Sequence, residues 1–283
     1  MRLRGVRGSR NVEDRRRSGR GGVGGGGARI GGVGLLVVLA IGYFAGIDVT
    51  PLLQGQSPMA PGGAARELSA QEQQAGEFSK RVLATTETVW EQVFAAQLDM
   101  EYTAPVLVLF SHMTQSPCGG ASGATGPFYC PLDSKAYLDT EFFATLSQRL
   151  GAKGDFAAAY VIAHEVAHHV QNELGILSEV NRARQQAGET EANALTVRLE
   201  LQADCLSGVW ASHVEGLLEP GDLEEALNAA RRIGDDHLQE AAGQVPRPHT
   251  FTHGTSEQRS RWFATGYQSG DMQACDTFAA TRL

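Results

Sequence analysis

The sequence predicts an α+β domain, mostly helical with a small sheet, preceded by one N-terminal transmembrane helix. Three observations predict it. From residue 67 to the C-terminus, apolar residues return mainly at helical spacing. Two short apolar runs, Pro105–Phe110 and Lys135–Asp139, break that spacing and read as strands. Residues 30–47 form an eighteen-residue stretch without a charge.

The composition supports this division. A hydrophobic fraction of 42% is ample for a core. Charge is unevenly spread: within residues 1–29, nine arginines face only Glu13 and Asp14, a balance of +7. The remainder therefore carries −15 of the net −8. An acidic body of this kind argues against a nucleic-acid partner, since phosphate binding needs a basic surface.

Residues 1–29, rich in Arg and Gly, are expected to be a disordered cytoplasmic tail. Residues 30–47 would span about 27 Å as a helix, enough for a membrane anchor. Arginines on its N-terminal side predict a cytoplasmic N-terminus, with the body on the far side of the membrane. A cleaved signal peptide is the competing reading, but Tyr43-Phe44-Ala45 makes a poor cleavage site. Residues 48–66 read as a linker, and residues 67–283 as one domain.

Within that domain, Phe78, Val82, Thr85, Val89 and Val93, widened by Trp90 and Phe94, predict a packing helix over 67–98. Pro105–Phe110 follows as a buried strand, then a Gly/Ser/Pro loop over 118–131, then Lys135–Asp139. Either strand could present an edge to an extended peptide. Asp139 or Thr140 could cap a helix over 141–150. Gly151–Gly154 separates that helix from the next, with Asp155 near the latter's positive end. Further helices are expected over 185–213 and 223–242. A loop passes from Thr250 into a last helix capped by Thr255 or Ser256, with Trp262 and Phe263 packed inward. Four cysteines beyond residue 47 fit an oxidising compartment. Among the three possible pairings, Cys118–Cys130 and Cys205–Cys275 are favoured, with buried free thiols as the alternative.

The chemistry centres on Tyr160–Gln171, which contains His164-Glu165-Val166-Ala167-His168. Two imidazoles four residues apart share one helix face, because four steps of about 100° overshoot one turn by only about 40°. Such a pair can supply half of a tetrahedral zinc site, with Glu165 placed as base for a metal-activated water. A catalytic zinc needs a third protein ligand, and Glu200 on a separate helix is the candidate. Asp204 lies one turn further on and can accept the hydrogen bond from the free nitrogen of a ligating histidine. His169 points about 100° away from His168 and is expected to pack or bond a carbonyl. His213 and His237 are expected at the surface, and His249 and His253 in a loop that can enter the cleft.

Together, His164-Glu-Val-Ala-His168 and Glu200-Leu-Gln-Ala-Asp204 resemble the gluzincin metallopeptidases, whose third ligand is a glutamate followed four residues later by an aspartate. More narrowly, the chain resembles the bacterial family called putative neutral zinc metallopeptidases. The likeness is carried by Gly126-Pro-Phe-Tyr-Cys-Pro131, Tyr137-Leu-Asp139, Val161–Gln171, Glu200–Cys205, Thr252-His-Gly-Thr-Ser-Glu-Gln-Arg259 and Cys275-Asp-Thr-Phe278. Ala167 stands where that family suggests glycine. The resemblance implies a zincin-like fold and a zinc peptidase outside the cytoplasm, with Zn²⁺ as cofactor and a peptide or protein as substrate. His253 is similar to a histidine that, in membrane-associated gluzincins, sits before a proline and stabilises the transition-state oxyanion. Glycine follows it here. The rival readings are a membrane-anchored binding or scaffold protein with a structural zinc site, and a non-peptide hydrolase on the same frame. Substrate preference and oligomeric state are not legible.

Overall fold

The computed structural model describes residues 1–17, 67–122 and 126–283. Strand β1 (Val12–Asp14) precedes a long helix α1 (Ala70–Val93), which widens into one π-helical turn at Phe94–Leu98. Ser69 starts α1 with a reciprocal cap: its hydroxyl accepts from Glu72 N–H at 3.2 Å, and the Glu72 carboxylate accepts from Ser69 N–H at 2.9 Å. Strands β2 (Val106–Phe110), β3 (Met113–Ser116), β4 (Gly119–Ser122), β5 (Phe128–Cys130) and β6 (Lys135–Asp139) follow. The rest is helical: α2 (Phe142–Gln148), α3 (Asp155–Glu173), α4 (Ile176–Gln186), α5 (Glu189–His213), α6 (Asp222–Arg232), α7 (Asp235–Ala241) and α8 (Ser256–Ser269).

The main sheet has the order β1-β2-β6-β5, parallel except for β5 against β6, while β3 and β4 form a separate hairpin. Strand β2 is buried on both faces, as its unbroken apolar run requires. Leu107 and Leu109 join Ala136 and Leu138 in the main core, while Val108 and Phe110 join Tyr137 and Cys130 on the other side. The expected edge strands are therefore interior: β2 lies between β1 and β6, and β6 between β2 and β5. The edges are β1 and β5.

Residues 1–17 also depart from expectation. Rather than forming a disordered tail, they pack on the domain and supply β1, with Met1 and Leu3 in the main core. Composition misleads here because the ordering comes from a neighbouring strand, not from local apolar pattern. Residues 18–29 of the expected tail, the expected span 30–47 and the expected linker 48–66 lie outside the described residues. Among the described residues, no helix is long and apolar enough to cross a membrane.

Helix α3 is buried nearly all round through Phe156–Ala163, as a central helix should be. It packs on α5, which in turn crosses α8 closely. Gly208 and Gly266 permit that crossing: a Cβ on either would fall 2.1 Å from the Phe263 carbonyl oxygen or 1.8 Å from that of Cys205. Helix α5 begins four residues later than its expected start at 185, after Gly188, and the stretch before it forms α4. The helix expected over 223–242 is two, broken at Ile233-Gly234. Asp235 N–H bonds Gly254 C=O at 2.9 Å, and Asp236 accepts from Ser256 N–H at 2.7 Å, tying the break to the loop before α8. Both favoured disulfides are present, and among the described residues no cysteine is free.

Candidate metal centre

Helix α3 offers Nε2 of His164 and Nε2 of His168 to the same side, and α5 offers the Glu200 carboxylate against them. His164 Nε2 is 3.2 Å from Glu200 Oε2, and His168 Nε2 is 3.5 Å from Glu200 Oε1. One donor atom from each residue lies within 4.8 Å of the other two. Tetrahedral zinc with bonds of about 2.0–2.1 Å sets its ligands about 3.3 Å apart, so this trio fits a zinc ion with one position left over. The two imidazole rings stand at 89° to one another, 4.8 Å between centroids, which keeps their nitrogens convergent without stacking.

The outer partners hold these rings in place. Asp204 Oδ1 is 3.0 Å from Nδ1 of His164. Gln171 Oε1 accepts from Nδ1 of His168 at 2.8 Å. The Gln171 amide then donates to Leu199 C=O at 2.7 Å and Gln202 Oε1 at 3.1 Å, fixing which end of the amide faces the histidine. Asp204 is itself gripped by Arg259 and accepts from the Tyr160 hydroxyl. Burial raises the Tyr160 hydroxyl pKa far above the ordinary range, so it remains a donor.

Charge balance follows from burial. Burial disfavours the imidazolium of His164, but Asp204 and Glu200 outweigh it and raise its pKa to about 9. Burial likewise works against the Glu200 carboxylate, yet His168 and His164 hold its pKa well below the usual range. For Glu165 burial wins over the nearby histidines, and its pKa rises. A metal ion would take the place of the His164 proton.

His253 is not one of the converging trio. It sits in the loop before α8, where Asp235 Oδ2 accepts from the backbone N–H groups of Thr252, His253 and Gly254 at 2.7, 2.6 and 3.1 Å. Asp235 Oδ1 lies 3.2 Å from His253 Nδ1, leaving Nε2 as the free nitrogen. Burial opposes the His253 charge, but Asp235 and then Glu200 raise its pKa, which puts the ring within electrostatic reach of the trio. His169 does pack and bond a carbonyl: its Nε2 meets Thr103 C=O at 2.6 Å, and its Nδ1 accepts from the Tyr129 hydroxyl at 3.0 Å. Gln171, Asp235 and the pairing of Arg259 with Asp204 were not found by sequence reasoning. Gln171, three residues after His168, carried the only available signal, its position on the same helical face.

With this geometry in view, comparison with known proteins is decisive. The sequence profile described as "Putative neutral zinc metallopeptidase" matches residues 1–278. The chain belongs to that family. Relatives of this zinc metallopeptidase family include the uncharacterized protein YpfJ of Escherichia coli (strain K12), 47% identical over 98% of this chain and 99% of its own. Another is the uncharacterized protein Rv2575 of Mycobacterium tuberculosis (strain H37Rv), 43% identical over 72% of this chain and 71% of its own. No solved structure matches the chain. The family description implies zinc, and the His164–His168–Glu200 trio is the donor set suited to it.

Proposed function

We propose that the chain is a zinc-dependent metallopeptidase with His164, His168 and Glu200 as metal ligands and Glu165 as general base. The observation that carries this reading is the approach of the Glu200 carboxylate to 3.2 and 3.5 Å from the two Nε2 atoms, beside a glutamate adjacent in sequence to the first histidine. A zinc ion held there would lower the pKa of a water and polarise the scissile carbonyl. Glu165 accepts the proton of the attacking water and delivers it to the leaving amine; its raised pKa suits both halves of that task. Asp204 orients His164, and Gln171 orients His168. His253, held by Asp235 with Nε2 free, donates to the carbonyl oxygen as negative charge grows on it.

An extended substrate pairs most readily along edge strand β5, whose Tyr129 hydroxyl bonds His169, the neighbour of His168. The two disulfides support an oxidising compartment. A purely structural zinc site is less well supported, because such sites close with four protein ligands, whereas three converge here among the described residues. Digestion of a peptide library by the zinc-loaded chain, with Glu165→Gln as control, tests the reading. Cleavage by the native chain alone is expected; equal cleavage by both removes Glu165 from its role.

A further inference from the structure

The first seventeen residues are fastened to the domain at every few steps. The Met1 ammonium sits between Asp155 at 2.8 Å and Glu219 at 2.9 Å, at the start of the helix bearing His164. Arg2 N–H bonds Leu217 C=O at 2.8 Å, and Ser9 N–H bonds Lys80 C=O at 2.9 Å. Strand β1 then runs parallel to β2 in the register Val12↔Leu107, Glu13↔Val108 and Asp14↔Leu109. Glu13 meets Lys135 at 2.8 Å and Arg15 at 2.9 Å, across one end of the sheet.

Arg16 closes the segment. Its guanidinium is buried, bonded to the Asp14 carboxylate and to the Glu72 carbonyl of α1. It lies directly over Gly76, where a Cβ would fall 2.4 Å from both terminal nitrogens. An arginine buried in a seat that only glycine leaves open is a built contact, unlike a charged tail resting on a surface. The family profile also begins its match at residue 1, so the segment is part of what the family shares.

This packing bears on the apolar stretch 30–47. A single membrane crossing there would put residues 1–17 and 67–283 on opposite faces, and β1 could not reach β2. We propose that residues 1–17 are an integral strap of the metallopeptidase domain, so that residues 1–17 and 67–283 lie on the same side of any membrane the chain meets.

Two measurements on the full chain test this. Carbodiimide treatment should join Glu13 to Lys135 through an amide, found as a cross-linked peptide by mass spectrometry; its absence would overturn the strap. In intact cells, Arg17→Cys and Val245→Cys, both exposed positions, should react alike with a membrane-impermeant maleimide, either both labelled or both protected. Labelling of one, with the other reacting only after permeabilisation, would overturn the same-side topology.

Discussion

Arg259 holds Asp204 through two parallel bonds, Nε to Oδ2 and Nη2 to Oδ1, each 2.9 Å long. Both side chains are almost wholly buried, so water cannot stand in for either partner. The same carboxylate lies 3.0 Å from Nδ1 of His164. The two residues of the pair are 55 apart in sequence, and together they tie α8 to the back of a candidate metal ligand.

Replacing one partner should therefore be costly. Arg259→Met leaves an uncompensated buried carboxylate and should lower unfolding stability by about 3–5 kcal/mol. Arg259→Lys should fall between, since an ammonium keeps the charge but loses the two-pronged geometry. Urea unfolding of the three proteins measures both effects. A shift under about 1 kcal/mol for Arg259→Met would mean that the pair is not held as described.

Gln171→Leu removes the acceptor from Nδ1 of His168 while keeping an apolar side chain of similar reach. Zinc affinity should drop about 10–100-fold, as when other outer partners of metal ligands are lost. Competition with a chromogenic chelator reads this directly. Unchanged affinity would show that His168 is oriented by packing alone.

The pH dependence of the metal-free protein follows from two opposed shifts. His164, with its pKa raised to about 9, contributes stability that is complete below its ordinary value of 6.5 and lost as pH rises through about 9. Glu200, whose pKa is depressed, contributes stability present above its ordinary value of 4.5 and lost as pH falls below that range. Melting temperature without metal should therefore peak between these values and decline towards alkaline pH. Saturating zinc should abolish the alkaline decline, because the metal replaces the His164 proton. A melting temperature that climbs from neutral pH to 9 without metal would contradict the ion pairing.

The Cys205–Cys275 disulfide closes a loop of 70 residues and fastens α5, which bears Glu200, to the C-terminal segment. Cys205→Ala with Cys275→Ala should cost roughly 4 kcal/mol on the loop-entropy scale. Thermal unfolding of the double variant checks it, and a loss below about 1 kcal/mol would assign the fastening to Gln202 and its bond to Cys275 C=O instead.

Local periodicity made the core of this arrangement legible. The His164–His168 spacing, the Glu200–Asp204 spacing and the Thr255 cap are each contained within one helical segment, so sequence order gives their geometry. What escaped reading depends on distant neighbours. Val12-Glu-Asp14 has a single apolar residue and becomes a strand only because β2 lies beside it. Strands β2 and β6 looked able to serve as edges because nothing local reveals that β1 and β5 flank them. Asp235, two elements away from the trio, meets His253 only after the helix expected over 223–242 has broken at Gly234.

Zinc X-ray absorption on the zinc-loaded full chain reads the coordination by His164, His168 and Glu200 directly. One zinc per chain is expected, bound by two imidazoles and a carboxylate, with oxygen from water completing the shell. A third imidazole in that shell, or sulfur, or a chain that retains no zinc, would contradict it.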